Sequence, residues 1–224
     1  MSIRIITTHD GSHSLFHEEL NETYHSVHGA LQESVHVFIK SGLNFFCSHH
    51  LPKEVSVLEI GFGTGLNAWL TLREVLQKEV SIDYTSVEAF PLEPSVWKNL
   101  NYATSSEEKQ WFEKLHESSW NQPVEIHPTF HLHKIHNILQ QIELHNHTFD
   151  IVYFDAFAPN KQPEMWAVPV LKKVFDSMKP DGIFVTYCAK GQLKRDLKSV
   201  GFIVETIQGP PGKREMIRAI KKAG

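Results

Sequence analysis

The stretch "VLEIGFGTGLNAWL", residues 57–70, confines this chain to a small set of folds. An apolar run breaks into glycines at 61, 63 and 65 and then turns amphipathic, which is the pattern of a strand passing through a bare turn into a helix. Glycines there let the chain turn sharply and leave room for a ligand against the backbone. The exposed amides at the start of the helix add partial positive charge.

The rest of the chain repeats the strand and helix alternation. "SVLEI" (56–60), "IDYTSVE" (82–88), "FDIVYFD" (149–155) and "GIFVTYC" (182–188) read as strands, with helical patterns between or after most of them. "GFIVETI" and "REMIRAIKK" flank "QGPPGK" and read as an antiparallel pair closing one edge of the sheet. The expected fold is α/β: a Rossmann-like, doubly wound, mostly parallel seven-stranded sheet with an antiparallel C-terminal edge strand and an N-terminal extension. A length of 224 residues fits a single domain, expected as an N-terminal cap segment over 1–54 and a core over 55–224. The helical stretch "GALQESVHVFIKSGL" precedes the first core strand, so it must cover something rather than join the sheet.

Two ligand signals follow from the spacing. A dinucleotide fingerprint places its third glycine three positions after the second, where this chain has Leu66; the tight Gly-Phe-Gly-Thr-Gly spacing suits S-adenosylmethionine better than a pyrophosphate. The next strand ends in Glu88, about twenty residues on, where a carboxylate can accept bonds from both ribose hydroxyls. Packing alone remains the competing explanation of the glycines.

In "FDIVYFDAFAPNKQPEMW", residues 149–166, a fully apolar strand ends at Asp155 and runs into a Phe/Pro loop. A carboxylate there lies at the carboxyl edge of the sheet, where open α/β folds bind ligands. A primary amine is cationic near neutral pH and has no free lone pair to attack a sulfonium methyl, so an amine methyltransferase must accept a proton or favour the neutral form. Asp155 has the chemistry to orient such an amine, and Phe157 to stack on a planar base or contact the methylsulfonium. Alternatively, Asp155 caps the loop and Phe157 packs.

Charge and composition narrow the partners. Residues 1–159 carry 9 Lys/Arg against 20 Asp/Glu, whereas residues 160–224 carry 13 against 6. The basic C-terminal third, including Lys190, Lys194, Arg195, Lys198, Lys213, Arg214 and Arg218, is either a surface for a phosphate backbone or a solvated helix face. No stretch approaches the roughly 18–20 apolar residues of a membrane span, and no leader pattern opens the chain, so a cytoplasmic protein is expected. Cys47 and Cys188 fit neither a disulfide framework nor a metal knuckle, as a reducing compartment would have it. The fifteen histidines lack acidic or cysteine partners at known ligand spacing, so no metal is expected.

Taken together, "DGSHSLF", "NETYHSVHGALQESVHVFI", "GFGTGLN", "DAFAPNKQPEMW" and "GPPGKREM" make the chain resemble the methyltransferase part of the MnmC-like family, which acts in 5-methylaminomethyl-2-thiouridine formation at the tRNA wobble position. The glycine loop alone indicates only class I methyltransferases; the other segments are more specific. The resemblance covers nearly the whole chain. It implies that Gly61, Gly63, Gly65 and Asn67 line the methionine end of the cofactor, that Glu88 holds the ribose, and that Glu59 and Asp155 join the cofactor contacts. It further implies that Asp155 and Phe157 face the reacting amine. Tyr24 and Glu33 either close the substrate pocket or pack ordinarily. Lys213 and Arg214 either meet a tRNA phosphate or are hairpin surface charges.

Two departures accompany the resemblance. Many methyltransferases of this fold bind the adenine amino group with an acid after a later strand, but "HLHKIHNIL" offers His133 and Lys134 around that point. The family's better-known members also carry a C-terminal flavin-dependent oxidase that this sequence does not reach, so the expectation is a stand-alone methyltransferase supplied with its aminomethyl-uridine by a separate enzyme. A small-molecule amine methyltransferase, or a non-catalytic RNA- or protein-binding module of the same fold, are the competing readings.

Overall fold

A computed structural model describes residues 2–222. The chain opens with β1 (Ile3–Thr7), β2 (His13–His17) and β3 (Glu22–Thr23), which form a small antiparallel sheet in that order. A continuous helical segment follows: α1 (Ala30–Ser34), a π-helical stretch (Val35–Asn44) and α2 (Phe45–His50). The core then runs β4 (Glu54–Ile60), α3 (Leu66–Val75), β5 (Ser81–Glu88), α4 (Pro94–Trp97), α5 (Ser106–Glu117), β6 (Pro123–His127), β7 (Phe130–His136) and β8 (Phe149–Phe154). A 3-10 turn (Pro163–Trp166), α6 (Val168–Ser177), β9 (Met178–Thr186), α7 (Gly191–Ser199), β10 (Ile203–Gln208) and β11 (Glu215–Ile220) complete it.

Among the described residues, eight strands form the main sheet in the order β10-β11-β9-β8-β4-β5-β7-β6. The five central strands are parallel, and β8 at their heart is an almost uninterrupted apolar run because both of its faces are covered. Ile151 and Tyr153 pack into one hydrophobic cluster with α3 and the helical segment 30–50; Val152 and Phe154 pack into the other with α6 and α7. Gly42 marks how closely that segment lies on the sheet, since a Cβ there would sit 3.0 Å from the Tyr153 ring. Covering this face is the role of the N-terminal helical pattern. At α5, Ser105 and Glu108 form a reciprocal capping box that fixes where the helix begins.

The expected sheet needs two corrections. It has eight strands rather than seven, because Pro123–His127 adds β6 antiparallel to β7 at one edge. At the other edge, the last strand is not outermost: β11 inserts between β9 and β10, antiparallel to both. The reason is burial. Met216, Ile217 and Ala219 are wholly buried and need a neighbour on each side, whereas β10 carries Ile203 at 47% exposure and tolerates the edge. No helix among the described residues is long and apolar enough to cross a membrane.

Candidate active site

The carboxyl ends of β4, β5, β7 and β8 open onto a cavity of about 1160 Å³, roofed by the β2–β3 region and the start of the helical segment. That volume exceeds a usual small-ligand pocket and leaves room for a cofactor together with a substrate group. Tyr24, Glu33, Gly61, Gly63, Asn67, Glu88, Asp155, Phe157 and Lys213 all line it. The sequence-predicted residues therefore converge from five separate segments. Glu59, Gly65 and Arg214 do not line it.

The glycine turn is held from two sides. Gly61 donates its amide to Val87 O at 2.9 Å, and Gly63 donates to Glu88 Oε2 at 2.9 Å. Phe90 N donates to the other oxygen, Glu88 Oε1, at 2.8 Å. Glu88 thus staples the turn and itself lines the cavity. Gly61 and Gly63 both have positive φ, and a Cβ on Gly63 would lie 3.3 Å from the Tyr24 ring. Gly65 serves differently: it sits at the N-cap of α3 with φ 71°, and a Cβ there would collide with His116. His116 is half-buried, its ring stacked on Trp97 and bonded to Thr64 O, and desolvation of that ring pushes its pKa down to about 3.

Asp155 follows β8 directly, its amide bonded to Ile60 O at 3.1 Å. Its carboxylate accepts a 2.9 Å bond from Asn67 Nδ2 on the first turn of α3, which brings the two signature loops together. Burial pushes its pKa up to about 7; the Asn67 bond and Lys213 act the other way, and Glu33 adds to the rise. The following loop is fixed by Trp166 Nε1 to Phe157 O at 2.7 Å, Tyr187 OH to Ala156 O at 2.9 Å and Lys161 Nζ to Leu20 O at 2.8 Å. Phe157 meets Tyr24 edge to face with ring centroids 5.0 Å apart, and His17 at 6.1 Å. Burial and the nearby Glu88 hold the Tyr24 phenol neutral far above its ordinary range.

At the opposite wall, Glu33 is buried, accepts the Ser26 amide at 2.7 Å and pairs with Lys213 at 2.5 Å. Lys213 also lies 3.9 Å over the Tyr187 ring. It is a half-buried cation lining the cavity, which the exposed Arg214 next to it does not line. Other members of the basic third are paired too, Lys194 with Glu215 at 2.9 Å and Arg218 with Glu205 at 2.7 Å.

Several lining residues escaped the sequence reading. Phe90, 58% exposed, and Ile138 follow β5 and β7 and flank one end of the cavity with Asn137 and Gln140. His133 and Lys134 lie within β7 and do not line the cavity, whose lining on this segment begins at Asn137. Lys134 is buried against Phe62 and Trp120, donates to His116 O, and is pushed down to about 8 by that burial. His25 also lines the cavity; burial lowers it to about 4 and keeps it neutral. Its contacts with Ser14 and Thr64 carried no sequence signal. The exposed His131 sits between Asp83 and Glu125, and no group of three or more metal-ligating side chains occurs among the described residues.

Residues 100–222 match the model of a family described as S-adenosyl-L-methionine-dependent methyltransferase. Among curated proteins, the chain is 26% identical to the tRNA 5-methylaminomethyl-2-thiouridine biosynthesis bifunctional protein MnmC of Nitrosospira multiformis, over 91% of this chain and 35% of that protein. It is 29% identical to the protein of the same name from Leptospira borgpetersenii, over 89% of this chain and 32% of that one. The chain thus spans about a third of the length of these relatives. Among solved structures, MnmC2 of Aquifex aeolicus shares the fold with a TM-score of 0.83, at 24% identity, over 100% of this chain and 72% of that one.

Proposed function

We propose that this chain, which belongs to the S-adenosyl-L-methionine-dependent methyltransferase family, methylates the primary amine of a 5-aminomethyl-type uridine, 2-thiolated or not, at the tRNA wobble position. The observation that carries this reading is Asp155, held by Asn67 at the cavity wall beside the bare glycine turn and raised to about 7. The names of the curated relatives supply the substrate class.

The cavity fits the cofactor. Gly61 and Gly63 leave a cradle that side chains would fill, Glu88 offers two oxygens to vicinal hydroxyls, and exposed Phe90 and Ile138 flank a slot for a planar base. When bound, S-adenosylmethionine supplies a methyl group already activated on a sulfonium. What remains for the protein is positioning and proton control. Asp155 takes or shares a proton of the incoming ammonium, so that the neutral amine presents its lone pair. Asn67 fixes the carboxylate that does this. Phe157 and Tyr24 form an aromatic corner for the uracil ring and for the charged methyl donor. Phosphate contacts fall to exposed basic residues such as Arg214, Lys190 and Arg195.

The test compares methyl transfer to bulk tRNA with transfer to the free aminomethyl nucleoside over a range of salt. A tRNA substrate gives turnover that falls steeply with salt and is far slower on the nucleoside. Equal, salt-insensitive turnover of the free amine would replace this reading with a small-molecule amine methyltransferase.

A further inference from the structure

The segment "GPPGK", residues 209–213, is wound tightly at the tip of the C-terminal hairpin and pressed onto the N-terminal cap. Gly209 N donates to Arg214 O at 3.2 Å, and Lys213 N donates to Pro210 O at 2.9 Å. Gly212 has φ 83°, and a Cβ there would collide with the His28 ring of the cap. At the end of β10, Gln208 O lies 2.9 Å from His36 Nε2 of the helical segment. The tip is thus fixed on both sides, and from it the Lys213 ammonium reaches Glu33 Oε1 at 2.5 Å.

Glu33 needs that cation. It is 5% exposed, and its other oxygen accepts the Ser26 amide. Without Lys213, a buried and uncompensated carboxylate would share the cavity with Asp155, and two such anions each hold the other's proton. Lys213 is fixed on a second side as well. Its Nζ lies 3.9 Å over the Tyr187 ring, and the hydroxyl of that ring donates to Ala156 O at 2.9 Å. A single tyrosine therefore joins the ammonium to the backbone next to Asp155. The titratable groups facing Lys213 are Glu33 from α1, His25 after β3, Tyr187 and Cys188 after β9, and Asp155 after β8. Asp155 faces Glu33, Lys213, Tyr187, Glu59 and Tyr84. Burial keeps His25 neutral, so Lys213 is the cation of this set.

Building on the role proposed for Asp155, we infer that Lys213 is a positioning residue of the amine site and not a phosphate contact: it holds the Glu33 carboxylate and cancels its charge, so that Asp155 meets the substrate amine with no second uncompensated carboxylate in the cavity beside it. Asp155 then ionises and takes the proton of the incoming ammonium, which frees the lone pair. With Glu33 uncompensated, the two acids would retain a proton between them and hold the amine as ammonium.

Three variants distinguish this role from packing, because they move Asp155 in different directions. Lys213→Met keeps the aliphatic stem and removes the charge. It should move the acid limb of kcat/KM, where activity rises as Asp155 ionises, up by about one pH unit, a loss of about tenfold at pH 6. Glu33→Gln removes the anion, leaves Lys213 unpaired and should move the limb down by a similar amount. The double variant strands neither charge and should bring the limb back to within about half a unit of wild type. Infrared titration of each protein against its own Asp155→Asn counterpart reads the same three shifts without substrate. Lys213→Met should also leave the salt dependence of tRNA binding unchanged. A limb that stays in place, or one that moves the same way in all three variants, overturns the inference. So does a Lys213→Met variant whose tRNA binding loses about one phosphate contact from its salt dependence. The expected infrared shifts, with a turnover profile that does not follow them, would leave the charge compensation standing and overturn the role given to Asp155.

Discussion

Asn67 Nδ2 donates to Asp155 Oδ2 at 2.9 Å, and this one bond joins the glycine-turn helix to the aromatic loop. Asp155→Asn removes the proton acceptor and leaves the shape. It should cost at least about a hundredfold in turnover while S-adenosylmethionine affinity, read by calorimetry, stays within about threefold. In wild type the same group should give kcat/KM an acid limb near pH 7, activity rising as Asp155 ionises.

The raised pKa of Asp155 also has a stability consequence of definite sign. Its folded value of about 7 lies above the ordinary 3.8, so the native state holds a proton that the unfolded state has released between those values. The contribution is most favourable below about pH 4 and is lost as pH rises to about 7. Asp155→Asn should therefore raise the melting temperature more at pH 8.5 than at pH 5, with a gain of up to a few kcal/mol at the higher pH. A gain that shrinks with rising pH would contradict the assignment.

Gly63→Val puts a branched side chain into the cradle beneath Tyr24, at φ 49° where β-branched residues are strained. Glu88→Ala removes the staple of the turn together with both ribose acceptors. Each should weaken S-adenosylmethionine binding by at least tenfold, about 1.4 kcal/mol. Either variant binding normally would mean the cofactor lies elsewhere.

The neighbours Lys213 and Arg214 should behave differently. Lys213→Ala strands the buried Glu33 carboxylate and is expected to cost about 1–3 kcal/mol of stability. Arg214→Ala, on the exposed side of the hairpin, should leave melting unchanged and reduce the salt dependence of tRNA binding by about one phosphate contact. Thermal melts and filter binding at several salt concentrations separate the two.

The glycine turn, Glu88 and Asp155 were legible in sequence because each rests on local spacing after an apolar run. The fold class followed from the same alternation. The position of β11 was not, since a hairpin reads identically whichever of its strands pairs with β9; only the burial of Met216 and Ile217 decides it. The pairing of Lys213 with Glu33 was not legible, because the two lie 180 residues apart in the chain. Phe90 and Ile138 were invisible for a similar reason: exposed apolar residues after strands gain meaning only once β5 and β7 are known to be neighbours. Gly65 fitted the ligand pattern but answers to His116, a contact no spacing reveals.

The proposed reaction is methyl transfer to an aminomethyl-uridine in tRNA. Its most direct test is incubation of the purified protein with methyl-labelled S-adenosylmethionine and tRNA from cells blocked after the aminomethyl stage, followed by nucleoside mass analysis. Label is expected in 5-methylaminomethyl-uridine or its 2-thio form, and absent with Asp155→Asn. Tight cofactor binding with no label in any tRNA nucleoside would contradict it.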